Sequence, residues 1–126
     1  LTAKGVEVVL NYDIAENIDF SMNYTFTEKD NDAIRIPKHK VNANIFYAIN
    51  SITNVSLNYQ FNDKRNDLAN KLDAYSLVDF SINREIIKNR LKASAFVSNI
   101  LNEDYEESFG YSTKGRNFKV GLEFKF

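Results

Sequence analysis

The sequence predicts an all-β fold, an antiparallel sheet of about seven strands. Seven segments alternate between apolar and polar residues with a period of two, which sends successive side chains to opposite faces of a strand. The chain is also rich in aromatic residues, with 10 Phe and 7 Tyr against only one Pro and four Gly, and aromatic residues favour strands. Polar connections separate the segments. These observations predict a meander of strands rather than a bundle of helices.

The clearest alternation lies in the second segment, residues 20–27, where Phe20, Met22, Tyr24 and Phe26 face four small polar residues. Three large apolar residues, Val9, Phe46 and Phe96, break the pattern on the predicted polar face, whereas no charge falls on the predicted apolar face within the chosen windows. The other six segments place these residues on the apolar face: Val6, Val8, Leu10, Tyr12; Val41, Ala43, Ile45, Tyr47; Val55, Leu57, Tyr59, Phe61; Val78, Phe80, Ile82; Leu91, Ala93, Ala95, Val97; and Phe118, Val120, Leu122, Phe124, Phe126.

The predicted connections alternate in length. Short turns are expected near residues 15–17, 50–51 and 88–89, and longer polar connections near 28–38, 63–71 and 102–116. Short turns at one end and long loops at the other are typical of outer-membrane barrels, which have tight periplasmic turns and long extracellular loops.

Alternation by itself also fits a soluble β-sandwich, which buries one face of each sheet. Three features favour a transmembrane β-barrel instead. Most segments run about nine to eleven residues, the length of a tilted membrane-spanning strand. Aromatic residues cluster near segment ends, as in interfacial girdles, and the polar face is rich in Asn, Ser and Gln, as in a wet lumen. The residues predicted to face lipid are Phe20, Met22, Tyr24, Phe26, Leu57 and Tyr59.

Composition excludes several other classes. Charge is nearly balanced, with 16 Lys+Arg against 17 Asp+Glu, so nucleic acid is not an expected partner. The absence of cysteine excludes disulfides, thiolate metal sites and a cysteine nucleophile. No stretch approaches the roughly 20 apolar residues of a membrane-spanning helix. The chain starts at Leu1 without a signal segment, so a mature or cropped chain is expected.

Several short motifs stand out near the C-terminus. They are an Asn-aliphatic-aliphatic run at residues 99–101, Tyr and Gly within a long connection, and Gly-Arg before the last strand. A Pro-basic strand entry at 36–40 and a Tyr-x-Leu-x-Asp strand at 75–79 precede them. Together these motifs resemble the end of a TonB-dependent outer-membrane receptor, and within this family the siderophore and vitamin B12 receptors are most similar in style. The family-like loop and strand-entry residues are Asn99, Tyr105, Gly110, Tyr111, Gly115 and Arg116.

The resemblance implies that residues 1–126 are the C-terminal part of a receptor barrel, without a plug domain. A complete barrel of this type has about 22 strands. The implied function is TonB-dependent uptake of a nutrient such as a ferric siderophore or cobalamin, not catalysis. Implied partners are outer-membrane lipid, the barrel-assembly machinery, TonB through a missing N-terminal part, and a small nutrient ligand. The alternating residues Phe118, Val120, Leu122, Phe124 and Phe126 resemble the C-terminal signal that the assembly machinery recognises.

Alternatives remain open at this stage: a non-transport outer-membrane barrel, structural or adhesin-like, or a soluble β-sandwich binding module. No catalytic, cofactor or metal site is predicted. His39, the single histidine, is expected to be structural at a loop-to-strand boundary, and residues 30–32 lack the rest of an EF-hand calcium loop. Gly110, Gly115 and Arg116 are expected to fix loop geometry and a lumen charge network, although loops on a rigid barrel are also where ligands bind.

Overall fold

A computed structural model describes residues 2–30 and 33–126, which form a seven-stranded antiparallel sheet and a small two-stranded hairpin. The large sheet has the order β1-β2-β3-β4-β7-β8-β9, and β5 and β6 form the hairpin between β4 and β7. The all-β antiparallel prediction is confirmed. The strands are β1 Ala3–Ala15, β2 Ile18–Lys29, β3 His39–Asn50, β4 Thr53–Asn62, β5 Arg65–Asp67, β6 Asn70–Leu72, β7 Tyr75–Ile87, β8 Leu91–Ser98 and β9 Asn117–Phe124.

The register aligns residues of like character in rows across the sheet. One row runs through Leu10, Met22, Ala43, Tyr59 and Val78 on successive strands. Direct partners in an antiparallel pair share a face, so this whole row lies on the apolar face. A one-residue slip of any strand would move its apolar residues to the polar face, and the alternation therefore specifies the register.

No packed core lies beneath the large sheet in the part of the chain that the structure describes. The buried hydrophobic residues are Ala33, Leu72 and Tyr75, all in or beside the long connections. On the apolar face, by contrast, Val6 is 63% exposed and Val120 is 77% exposed. A sandwich would cover this face with a second sheet, so the soluble-sandwich alternative is wrong for this single-layered fold.

The polar face is the concave side of the sheet. It holds a concavity of about 460 Å³ whose walls come from five strands. Side chains on this face bond one another, and Asn44 Nδ2 donates to Asn58 Oδ1 at 2.5 Å. A sheet that curves around polar residues and turns its apolar residues outward has the sidedness of a barrel wall around an aqueous interior. The polar residues that line the concavity are Asn11, Ser21, Asn23, Asn42, Asn44, Asn58, Gln60 and Asp79.

The connections alternate in length as predicted. Tight turns at 16–17, 51–52 and 88–90 lie at one end of the sheet, and the long connections 30–38, 63–74 and 99–116 lie at the other. Asn89 takes a left-handed backbone conformation, φ 58°, in the turn before β8, which suits asparagine. None of the described residues forms a helix long and apolar enough to cross a membrane.

One sequence-based expectation is wrong in detail, and another holds only within the segments chosen from the sequence. The β5–β6 hairpin occupies residues 65–72, where a plain loop was predicted, because three-residue strands are too short to show alternation. Charge is also present on the apolar face near strand ends. Arg84 pairs with Thr53 and Ala93, and Lys4 pairs with Glu28, in rows on that face. Long charged side chains at such ends reach past the apolar surface to water, and the chosen windows stopped short of them.

Candidate functional site

The three long connections meet at one buried carboxylate, that of Asp67 at the end of β5. Its side chain is only 4% exposed. Arg35, in the first long connection, donates from Nε to Asp67 Oδ1 at 2.9 Å. Phe109, in the third, donates its backbone N–H to Asp67 Oδ2 at 2.8 Å. Asp67 therefore joins residues from all three connections through its two oxygens.

Backbone geometry supports this junction. Arg35 has φ 60°, an uncommon conformation for a residue with a side chain, and its backbone N–H donates to the Asn66 carbonyl at 2.7 Å. The backbone N–H of Phe109, followed by the Arg35 guanidinium, lowers the pKa of Asp67 below its ordinary value. Hydrogen bonds to an ionised carboxylate are stronger than those between neutral groups, so the junction depends on the charge of Asp67.

A second link between two of the connections runs through Arg65. This residue is 6% exposed, and its Nη2 donates to the Glu106 carbonyl at 2.7 Å. Its guanidinium carbon lies 5.0 Å from the ring centroid of Tyr75, a cation–π geometry. Tyr75 in turn packs on Tyr105, with centroids 4.4 Å apart. Tyr105, predicted as a family-like loop residue, is thus part of the packed base of the loops.

A cavity of about 450 Å³ lies beside this aromatic pair. Its walls include Tyr75, Tyr105 and Phe109, with Lys71 and the carboxylates of Asp104 and Glu106 among the charged groups. Small-molecule sites are lined predominantly by hydrophobic and aromatic side chains, whereas half of the ten residues around this cavity are polar or charged. The cavity is therefore an open, largely polar pocket at the base of the loops.

Asn99 fixes the chain as it leaves β8. It is 4% exposed and has φ 51°. Its backbone N–H donates to Asp79 Oδ1 at 2.8 Å, its Nδ2 donates to the Glu103 carbonyl at 2.9 Å, and its Oδ1 accepts from the Glu103 N–H at 2.8 Å. Asparagine tolerates the left-handed conformation and supplies both an acceptor and a donor. The contacts of Asn99 therefore hold the start of this connection against β7 and against residue Glu103.

Gly115 and Arg116 close the same connection before β9. Asn102 Oδ1 accepts the backbone N–H of Arg116 at 2.9 Å, and a Cβ at Gly115 would lie 2.8 Å from that oxygen. Arg116 Nε donates to the Ile100 carbonyl at 2.8 Å. These contacts lie within the loop, and the role of the two residues in fixing its geometry stays a prediction. No ion pair of Arg116 is found among the described residues.

Gly110 and Tyr111 lie apart from these contacts at the tip of the connection. Gly110 has φ 81°, which glycine adopts at little cost. Tyr111 is 74% exposed, and its backbone N–H donates to the Ser108 carbonyl at 3.1 Å. Tyr111 therefore presents an exposed side chain at the tip of the connection.

The six residues predicted to face lipid share the convex apolar face. Register pairs Phe20 with the row that contains Leu57, and Met22 with the row that contains Tyr59. Tyr24 and Phe26 follow toward the long-connection end of β2. Contact of this face with lipid remains a prediction.

The predicted assembly-signal residues lie on the outer strand β9 and just beyond it. Phe118, Val120 and Leu122 are each more than 70% exposed and share the apolar face with β8. The strand ends at Phe124, not at the last residue. Phe126 lies outside the ladder and packs edge-on against Phe124, with ring centroids 5.1 Å apart.

His39 is the first residue of β3, at the predicted loop-to-strand boundary. Its Nδ1 lies 2.8 Å from the Tyr24 hydroxyl, and its ring packs 5.5 Å from that of Phe26. No nucleophile accompanies it in these contacts. Across the described residues, no group of three or more His, Asp or Glu side chains could hold a metal ion. Of the acidic run 30–32, residues 31 and 32 lie outside the described residues.

Sequence reasoning did not identify Arg35, Arg65 and Asp67 as a unit. The three residues are up to 32 positions apart, and their contacts depend on how the connections fold back over the strand ends. The spacing of Arg65 and Asp67, two residues apart on one face of a short strand, was the only signal in the sequence, and such a pair is common in exposed loops.

A single curved layer with an apolar outer face, a polar concave face and long loops at one end defines part of an outer-membrane β-barrel. A family model described as "TonB dependent receptor-like, beta-barrel" matches residues 1–100. The chain therefore belongs to the TonB-dependent receptor-like β-barrel family, which is a receptor and transporter family and not an enzyme family.

Known proteins agree with this assignment. The iron-regulated outer membrane virulence protein of Vibrio cholerae is 24% identical over 139 residues, covering 97% of this chain and 21% of that protein. The ferric enterobactin receptor PfeA of Pseudomonas aeruginosa, solved with enterobactin, superposes with a TM-score of 0.83 at 15% identity, over 98% of this chain and 22% of that one. The ferric-catecholate import receptor Fiu of E. coli K12 gives 0.80 at 16% identity, over 97% and 20%.

The chain thus spans about a fifth of the length of the proteins that it matches. These relatives are outer-membrane receptors of Gram-negative bacteria, and the chain is placed in that membrane.

Proposed function

We propose that the chain is the C-terminal part of the barrel of a TonB-dependent receptor that imports a scarce nutrient, such as a ferric siderophore or cobalamin. The observation that carries the proposal is the two-faced, seven-stranded meander whose long connections converge on one packed site. The family match supports it. The names of PfeA and Fiu, which refer to ferric enterobactin and ferric catecholates, favour an iron chelate over cobalamin.

In this proposal the apolar face contacts lipid and the concave face lines the lumen. The strands β1 and β9 have one neighbour each in the sheet, and bare strand edges are not stable in hydrocarbon. Further strands of a larger barrel, of the roughly 22-stranded type, would cover them. The plug and the segment that binds TonB would belong to the remainder of the receptor.

The uptake test uses the full-length receptor. Cells that depend on it should accumulate radiolabelled iron from one siderophore of a panel, and accumulation should stop when the receptor gene or the TonB system is deleted. Labelled cobalamin is the parallel arm. Failure of every ligand, with the receptor correctly assembled in the membrane, would favour a non-transport barrel.

The proposed orientation places connections 30–38, 63–74 and 99–116 outside the cell and the turns 16–17 and 88–90 in the periplasm. Leu68, at the tip of the β5–β6 hairpin, is 79% exposed and suits an inserted epitope tag. An antibody should bind this tag on intact cells and should not bind a tag at Asn89. Surface labelling at Asn89 would reverse the orientation.

A further inference from the structure

The convex face carries a basic and aromatic cluster where β2 and β3 meet the first long connection. It consists of Tyr24, Phe26, Lys38 and His39. Register pairs Phe26 directly with His39 and Tyr24 with Val41, so these side chains are on the apolar face. Lys38 Nζ lies 5.7 Å from the Phe26 ring centroid, which brings its ammonium to the same side. The receptor function described above does not use this cluster.

The His39 ring is held in a defined position. Nδ1 is bonded to the Tyr24 hydroxyl at 2.8 Å, and the two rings are nearly parallel, 17° apart. When the tyrosine donates to Nδ1, the ring proton is on Nε2, and when His39 is protonated Nε2 also carries a proton. In both cases Nε2 donates outward, away from Tyr24. No hydrogen bond engages Nε2 within the described ranges.

The cluster has no carboxylate partner within ion-pair distance in the described part of the chain, where Arg35–Asp67 is the one ion pair. Glu28 lies on the same face further along β2, but it stands directly opposite Lys4. Near Phe26 the cluster therefore presents the Lys38 ammonium beside aromatic surface, together with a ring N–H at His39 Nε2 when Tyr24 donates to Nδ1 or the ring is protonated. Such donors bind phosphate oxygens well, and aromatic rings are favoured at the level of lipid headgroups.

The position of the cluster along the strands fits a membrane boundary. At the start of β4, Thr53 stands opposite Arg84. Ten residues further along the chain, just after β4, the N–H of Asp63 donates to the His39 carbonyl. Ten residues of strand span about 33 Å, or about 25 Å along the membrane normal at a tilt of about 40°. Barrels carry an apolar band about 25 Å tall. Lys38 and His39 mark one margin of this band and Arg84 marks the other, to within the few Å of stagger between strands.

We propose that Lys38 and His39 bind a phosphate of a lipid headgroup in the outer leaflet, that of the lipid A part of lipopolysaccharide. The lipid chains would lie along the apolar face below Phe26, and the phosphate would accept from Lys38 Nζ and His39 Nε2. This assignment of leaflet rests on the orientation proposed above.

Native mass spectrometry of the purified full-length receptor tests the proposal, with lipid A as the added probe. The K38Q/H39Q variant should retain lipid A about tenfold less than the unsubstituted receptor, because two charge-assisted hydrogen bonds are lost. Lys40→Gln is the matched control. Lys40 is the next residue of β3 and lies on the polar face, so its substitution should leave lipid A retention unchanged.

Further arms identify the source of the phosphate. Lipid A stripped of its phosphates should bind the unsubstituted receptor as poorly as intact lipid A binds the double variant. Inorganic phosphate should not displace lipid A. Equal retention by the double variant, displacement by inorganic phosphate, or preference for phosphatidylglycerol over lipid A would each overturn the proposal.

Tyr24→Phe provides a second, milder variant if the double variant assembles poorly. It removes the hydroxyl that orients His39 and keeps the aromatic surface, so lipid A retention should fall by about threefold; unchanged retention would show that this hydroxyl does not orient a phosphate donor. Nutrient uptake, measured on the same variants, should stay near that of the unsubstituted receptor. Loss of lipid binding with intact uptake distinguishes this site from the transport function.

Discussion

Among single residues, Asp67 determines how the long connections are held. Its two carboxylate oxygens bond Arg35 and Phe109 from different connections, and these same groups lower the pKa of Asp67, the Phe109 N–H most. A carboxylate with a lowered folded-state pKa adds stability above its unfolded value, about 3.8, and this contribution disappears as the pH falls through the lower, folded value. The junction should therefore be fully formed at neutral pH.

Hydrogen exchange of the full-length receptor measures this effect. The Phe109 amide should stay protected from neutral pH down to pH about 4 and lose protection below that. Asp67→Asn should already reduce the protection of the Phe109 N–H at neutral pH. It should also remove the pH dependence of that protection, because the asparagine side chain cannot ionise. Asp73→Asn, at an exposed carboxylate in the same connection, is the control. Wild-type protection in Asp67→Asn would contradict the role of this charge.

For the strand β2, sidedness has an energetic consequence. Met22 lies mid-strand on the apolar face, and Asn23 beside it lies on the polar face. Replacing Met22 by Arg should destabilise the receptor by about 2–4 kcal/mol if this row is near the bilayer midplane. Asn23→Arg should cost much less, because its side chain enters the wet interior. Urea unfolding in lipid vesicles gives both free energies, and equal costs would argue against the sidedness.

The last strand, β9, carries the proposed assembly signal. Phe126 stands beyond the ladder and contacts Phe124, so its removal breaks no strand pair. Deleting Phe126 in the full-length receptor should slow assembly and leave the stability of assembled receptor nearly unchanged. Pulse-chase labelling with a heat-modifiability gel separates the two effects. An unchanged assembly rate would show that Phe126 is not part of the assembly signal.

For the whole molecule, the described chain has the hydrophobic surface of a membrane wall without its remaining strands. The apolar face is uncovered, and two strand edges lack partners in the sheet. Expressed alone in water without detergent, residues 1–126 should aggregate, because exposed edges and wide apolar patches promote association. Analytical ultracentrifugation gives the answer, and a monodisperse, cooperatively unfolding monomer would contradict the barrel-wall account.

The sequence predicts those features of the fold and site that depend on residues close together in the chain. Alternation in residues such as Phe20 to Phe26 is local, so strands, faces and turn positions followed from it. The β5–β6 hairpin was missed because its strands are too short to alternate. The junction of Arg35 with Asp67 was missed because it joins residues far apart in the chain. Arg84 was missed because its strand continues past the apolar run.

The most direct test of the central claim is a cysteine scan along β2. The chain contains no cysteine, so single substitutions from Phe20 to Thr27 can be read individually in a full-length receptor cleared of other cysteines. Cysteines at even positions should be shielded from a water-soluble thiol reagent. The spectrum of a probe attached at an even position should broaden when a lipid-soluble quencher is added. Odd positions should show the opposite behaviour. Uniform labelling, or the reverse parity, would contradict a lipid-facing apolar face.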